Sequence, residues 1–303
     1  MGGSSDDMMK LVLDSKALSI WNRKTGPVFW YAAGVPGPFY LNTEQMIGKA
    51  LADELLEKIT AIIADNSDPA IRAAEVEALI IAAYDSSAIY KTIIQALIAK
   101  AKAVFPAGSY MAVSGGERRD WLFSIPFAKE MGIKHAYLFK NKSLYCAEGM
   151  TVDGRVLHVA DLINNAASYF DAWLPMLERE KLRCMGTLCV NTRGTNGLKR
   201  LTEAGYTVAS LNAVDLDFFV KSRAKGLIDQ DMLDEITLFF RSAQEWGAKY
   251  LTRDARLFDV PNLDKKSFER LQSFFAQDPW ELRDGHTDFF AAMQRAIEAR
   301  KAL

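Results

Sequence analysis

Four short apolar runs, Tyr110–Val113, Ala136–Phe139, Val156–Ala160 and Gly186–Val190, alternate with helical patterns at 119–132, 168–180 and 195–204. This alternation constrains the fold more than any other feature of the chain. Runs of four or five residues are too short for helices and read as buried strands. Strands separated by helix-length segments pair in parallel, because each crossover returns the chain to the same end of the sheet. The chain is therefore expected to be α/β, with a mostly parallel twisted sheet flanked by helices. Half of its 303 residues are apolar, enough to bury such a core and still supply an accessory region.

The flanking regions read differently. From Thr43 to Lys102, Ala, Leu, Ile and Glu recur at helical spacing, with breaks near Asn66–Pro69 and Asp85–Ser87 that predict two or three helices. After Leu211 helical patterns return at Asp215–Ala224, Asp229–Glu245, Lys265–Ala276 and Thr287–Lys301, punctuated by Pro261 and Pro279. Three parts are expected: an N-terminal segment over 1–42, a core over 43–211 with its leading helices, and a C-terminal helical extension over 212–303. The opening MGGSSDD reads as disordered.

A formal charge of −1 and a pI near 6.4 give no global electrostatic reason to expect nucleic acid or an anionic membrane as partner. Cys146, Cys184 and Cys189 form no CxxC pair, and His135, His158 and His286 are scattered, so neither a disulfide framework nor a zinc site is indicated. No stretch is long and uncharged enough to span a bilayer, and no basic-then-apolar leader opens the chain. A reducing, cytoplasmic setting is the expectation.

Ligands of open parallel sheets sit beyond the carboxyl ends of the strands, so four loops carry the candidate chemistry. The most informative is in Arg155–Leu174, RVLHVADLINNAASYFDAWL, where an apolar run stops at an acid and passes through small polar residues into a helical pattern. A helix starting near Ser168 would aim free backbone N–H groups into the turn Asn164, Asn165, Ala166, Ala167, where a phosphate can bind. Asp161 is placed to accept from sugar hydroxyls. After Val113 comes Ser114, Gly115, Gly116, Glu117, Arg118, Arg119: glycines that admit close approach of a ligand, then two guanidinium groups that suit phosphate oxygens. Lys140 and Lys142 follow the next run, and Arg193 follows the fourth. Trp121, Trp173, Trp246 and Trp280 read as core or interface anchors, and His158 as a packing or hydrogen-bonding residue.

In layout, these motifs resemble the type I phosphoribosyltransferases and, within them, most closely the orotate phosphoribosyltransferases. The Arg155–Leu174 segment is similar to the phosphoribosyl diphosphate motif, with Ala160 where the first of two acids would stand and 164–167 in place of the usual Thr and Gly positions. Ser114–Arg119 resembles the pyrophosphate loop. Lys140, Lys142 and Glu148-Gly149 resemble a shortened catalytic lid, with Cys146 close by. Phe29–Asn42 is similar to the segment that covers the base, keeping Phe29, Gly34, Pro38, Tyr40 and Asn42 but carrying Ala32, Ala33, Val35 and Gly37 at its polar positions.

The resemblance covers about residues 15–245 and implies a phosphoribosyltransferase-like fold, a hood over the base, and a homodimer. It further implies a phosphoribosyl or nucleotide ligand of pyrimidine metabolism. Lys140, Lys142 and Asp161 would act in catalysis, Ser114–Gly116, Arg118, Arg119 and 164–168 would hold the ligand, and Arg193, Phe39 and Tyr40 would meet the base. Mg²⁺ would be held indirectly at Asp161 through ligand and water, in an active enzyme. Losses at the ribose, phosphate and base subsites together predict no robust orotate transfer. Three readings stay open: a transferase for another base, a module that binds a nucleotide or sugar phosphate without catalysis, and a scaffold whose C-terminal helices form an interface.

Overall fold

The computed structural model describes residues 5–22, 26–146 and 154–302. Helix α1 (Ser5–Asp14) starts inside the segment expected to be disordered, because Met8, Met9 and Val12 lie on one face and are buried. Two short antiparallel ladders follow, β1 (Leu18–Ile20) with β4 (Phe39–Leu41) and β2 (Phe29–Trp30) with β3 (Pro36–Gly37). A 3₁₀ turn over Thr43–Ile47 leads into α2 (Lys49–Asp65), α3 (Pro69–Ser86) and α4 (Ala88–Val104). The breaks between them have local causes. Asp68 caps α3 by accepting from the Ala70 amide with Pro69 in the first turn, and Ser87 caps α4 by accepting from the Tyr90 amide.

The main sheet has six strands: β5 (Ala112–Gly116), β6 (Lys134–Leu138), β7 (Leu144–Cys146), β8 (Arg155–Ile163), β9 (Arg183–Arg193) and β10 (Thr207–Val214). Their order is β10-β9-β8-β5-β6-β7, parallel except for β7. Helices α5 (Trp121–Met131), α6 (Leu174–Arg179) and α7 (Asn196–Glu203) fill the crossovers, and a π-helical turn, Tyr169–Trp173, runs directly into α6. Pro126 inside α5 removes the amide that would bond the Leu122 carbonyl, and the Tyr90 hydroxyl of α4 donates to that carbonyl instead.

Several strands run past the apolar runs that announced them. Asp161 lies inside β8, Asn191 and Thr192 inside β9, and Ser114 to Gly116 inside β5 rather than in loops. The polar side chains among them are satisfied internally. Asn191 Nδ2 donates to Thr43 Oγ1 at 3.0 Å, and Asn212 Nδ2 donates to Asn191 Oδ1 at 3.0 Å. A buried strand need not be apolar where a neighbour completes its hydrogen bonds.

The chain divides into two compact units, differently from the three-part expectation. One comprises Met1–Ala17 and Asn42–Phe218, the other Leu18–Leu41 and Phe219–Leu303. The second unit contains most of α8 (Leu216–Ala224) together with α9 (Gln230–Arg241), α10 (Ala243–Trp246), α11 (Lys265–Gln277) and α12 (Thr287–Lys301). Trp21, Val28 and Trp30 are buried in one apolar cluster with Trp246, Phe258 and Phe274, and the Val28 amide donates to the Leu257 carbonyl. The 18–41 segment thus shares a core with the C-terminal helices. Among the described residues no helix is long and apolar enough to cross a membrane.

Candidate functional site

Strands β5 and β8 pair only at Ala112↔Val156, Val113↔Leu157 and Ser114↔His158. Beyond that point β5 stays with β6 as far as Gly116↔Leu138, while β8 stays with β9 as far as Ile163↔Thr192. Each strand follows its outer partner and the two part, which makes this the topological switch point of the sheet. A cavity of about 340 Å³ opens there, bordered by 117–120, Lys140, Asp161 and the turn 164–168. That volume is at the lower end for small-molecule sites, roughly 300–1,000 Å³.

Acids form the floor. Asp120 Oδ1 accepts from the Asp161 amide and Oδ2 from the Gly116 amide, each at 2.9 Å, so one carboxylate spans the gap between the strands. Burial, then the Asp120 charge and a hydrogen bond to it, push Asp161 well above the usual carboxylate range, against the opposing pull of Arg119. Behind the floor, His158 Nδ1 lies 3.0 Å from Ser114 Oγ and Nε2 lies 3.7 Å from Asp120 Oδ2. Ser114 is wholly buried, which excludes it from contact with a ligand.

The turn 164–168 forms one wall. Ala166 has φ +57°, the left-handed region that disfavours any residue with a Cβ. The Asn165 side chain accepts from the Ala167 amide at 3.1 Å, and Gly197 N donates to the Asn164 carbonyl at 2.9 Å. Ser168 makes no capping bond to the helix that follows. Arg193 Nε donates to Asn164 Oδ1 at 3.4 Å and Arg200 donates to the Asn165 carbonyl at 2.5 Å, so two cations brace the turn from outside. The cavity's borders do not include Arg193, which was expected at a base.

The opposite wall corrects part of the expectation for 114–119. Gly115 and Gly116 are buried strand residues, and their missing side chains make room for protein. A Cβ on Gly115 would fall 2.1 Å from Ser124 Oγ, and one on Gly116 would fall 2.5 Å from the Trp173 ring. Arg118 borders the cavity with φ +81°, a second non-glycine residue in the left-handed region at this site. Its Nε is buried without a protein partner. Arg119 is committed to Glu44 Oε1 at 3.1 Å. The Lys140 amide donates to the Glu117 carboxylate at 2.9 Å, and its ammonium lies 4.0 Å from the same group. Lys142 sits at the β6–β7 turn with φ +64° and does not border the cavity.

Phe39 is buried against Phe219 and Phe240, ring centroids 5.1 and 5.9 Å away, so its ring serves the core of the second unit and is removed as a surface for a base. Tyr40 is half-buried near Phe29. Glu148 and Gly149 lie outside the described residues. Cys146 is half-buried, and burial raises its thiol pKa, which opposes reactivity. Sequence reasoning missed Asp120, Glu117 and Glu44 as site residues. An acid just before an apolar helix reads as a cap, yet Asp120 makes no capping bond.

No protein-family model matches the chain, and no curated protein matches it in sequence. Among solved structures, the UMP synthase of Leishmania donovani aligns with 78% of this chain and 42% of its own at a TM-score of 0.55 and 14% identity. The chain spans less than half the length of that synthase. The orotate phosphoribosyltransferase of Francisella tularensis aligns over 77% of this chain and 96% of its own, with a TM-score of 0.49 and 11% identity. That of Aeropyrum pernix aligns over 73% and 99%, with a TM-score of 0.49 and 13% identity. At such identities the likeness is one of fold. In its six-stranded sheet and helical layers, this chain shares the fold of the type I phosphoribosyltransferases.

Proposed function

We propose that this protein is phosphoribosyltransferase-like and binds a 5-phosphorylated ribose ligand, phosphoribosyl diphosphate or a nucleotide, in the cavity between β5 and β8. The carrying observation is that Asp161 and the turn 164–168 border one cavity at the strand ends, a carboxylate for ribose hydroxyls beside a turn for the phosphate. Arg118 and Lys140, across the cavity, would meet a pyrophosphate or a second phosphate. Mg²⁺ fits this donor set as a ligand-borne ion. The described residues hold no group of three His, Cys, Asp or Glu that could bind a metal, whereas Asp161 with ligand oxygens and water supplies the hard oxygens the ion prefers. When bound, it would neutralise pyrophosphate charge.

A second reading, binding without transfer, draws support from the state of the cations. Arg119 is tied to Glu44, Glu117 lies beside Lys140, and Lys142 stands apart, which leaves the charge facing a departing pyrophosphate mainly to Arg118. In either case the ligand is a small molecule, and a homodimer in a cytoplasmic setting is proposed with it. Titration calorimetry with phosphoribosyl diphosphate, with and without Mg²⁺, and with nucleoside monophosphates tests both readings. Mg²⁺-dependent binding of the diphosphate supports the transferase, and binding of a monophosphate alone supports the second reading. Binding of neither defeats both.

A further inference from the structure

Asp120 carries a part-buried carboxylate that capping does not explain. It stands before α5 with helical backbone angles, and while its backbone carbonyl accepts from the Phe123 and Ser124 amides, its side chain bonds none of that helix's amides. Its oxygens turn instead across the sheet, Oδ1 to the Asp161 amide and Oδ2 to the Gly116 amide. Among the described residues no cation pairs with it at hydrogen-bonding distance. His158 Nε2 is 3.7 Å from Oδ2, beyond a normal bond, and is itself buried and unpartnered, in a residue only 1% exposed. Arg119, the adjacent guanidinium, goes to Glu44.

By strand alternation Ala160 shares a face of β8 with His158, whose ring nitrogen faces Asp120, and Ala160 and Asp120 border the same cavity. Asp120 borders the cavity beside Asp161, and each carboxylate has acceptor sites left after its backbone bonds. Two carboxylates side by side at a cavity floor match a ligand that presents two adjacent hydroxyl donors.

We propose that Asp120 and Asp161, contributed by two different strand ends, together bind the cis-diol of the ribose, so that Asp120 supplies the acid that position 160 lacks. The inference rests on the sugar-phosphate reading of the cavity and adds a specificity: a ribose is preferred over a 2-deoxyribose. Losing one hydroxyl leaves a part-buried acceptor short of a donor, worth roughly tenfold or more in affinity.

The test titrates ribose 5-phosphate and 2-deoxyribose 5-phosphate into the full chain and into Asp120→Asn, with thermal melts to confirm folding. The native protein is expected to prefer ribose 5-phosphate by about tenfold or more, and Asp120→Asn to lose that preference while 2-deoxyribose 5-phosphate binding changes less than about threefold. Should Asp120→Asn fail to fold, Asp120→Glu, which keeps the charge and displaces it by one methylene, is expected to lose the preference in the same way. Retention of the preference in a folded variant overturns the role of Asp120 alone. An equal loss for both sugars marks Asp120 as structural and likewise overturns it. Binding of neither sugar by the native protein overturns the sugar-phosphate reading, and this inference with it.

Discussion

The two compact units solve burial in opposite ways. In the sheet unit the core includes Ser114, His135, His158, Thr187, Asn191 and Asn212, polar side chains at 8% exposure or less, held by specific hydrogen bonds. The other unit packs aromatic rings, with Trp246 against Trp21 and Phe239, and Phe258 against Trp30 and Phe275. Aromatic packing is tolerant and non-directional, and it suits a unit of short helices that needs apolar area. A polar core costs more to assemble and fixes side chains in one geometry. The difference teaches where a site can be held rigidly: the cavity, its paired acids and the two left-handed non-glycine residues that border it, Arg118 and Ala166, belong to the unit whose core includes these hydrogen-bonded polar side chains.

The comparison breaks most readily at Phe258. It is fully buried in the aromatic cluster, so Phe258→Ala is expected to cost about 3–5 kcal/mol, read by chemical denaturation, and a loss under about 1 kcal/mol would mean that the cluster is not a packed core.

A smaller effect separates the units by pH. Burial, then the charge of His158, lowers His135 to about 3, and its Nε2 lies 2.8 Å from Ser124 Oγ. Its folded pKa is below its unfolded value, so the unfolded chain takes up the proton first. The stability His135 contributes is therefore complete above about pH 6.5 and is lost as pH falls from there toward about 3. At about pH 4.5 the loss approaches 2.7 kcal/mol, at about 1.36 kcal/mol per unit. A His135→Gln variant, followed by denaturation over the same range, is expected to show a shallower slope, and an equal slope would contradict the assignment.

The smallest effect is expected at the turn. Ala166→Gly relieves the left-handed backbone, offset by the added freedom of the unfolded chain, for a net gain of about 0.5–1 kcal/mol in a thermal melt. A destabilised variant would show that the Ala166 methyl group, which is buried, contributes more by packing than its backbone strain costs.

Much of the fold was legible because burial leaves a periodic trace. The helices expected at 265–276 and 287–301 appear as Lys265–Gln277 and Thr287–Lys301, and the four apolar runs overlap β5, β6, β8 and β9, the first of them only at Ala112 and Val113. Legibility failed where polar residues are buried in pairs. Asn191 and Ser114 looked like loop residues because their partners, Asn212 with Thr43 and His158, are distant in sequence. The 164–168 turn and Asp161 were legible as neighbours in sequence, and they do border one cavity.

The sequence by itself determined the alternation of strands and helices, the location of the β8 turn, and the presence of cations near the strand ends, since these follow from periodicity and residue type along one segment. Tertiary structure alone decided which charges are spent on each other, that 18–41 shares a core with the C-terminal helices, and that Gly115 and Gly116 make room for Ser124 and Trp173. It also brought Asp120 to Asp161, 41 positions away in sequence. Hydrogen bonds and ion pairs select partners by distance in space, and no pattern along the chain records that distance before the sheet has formed.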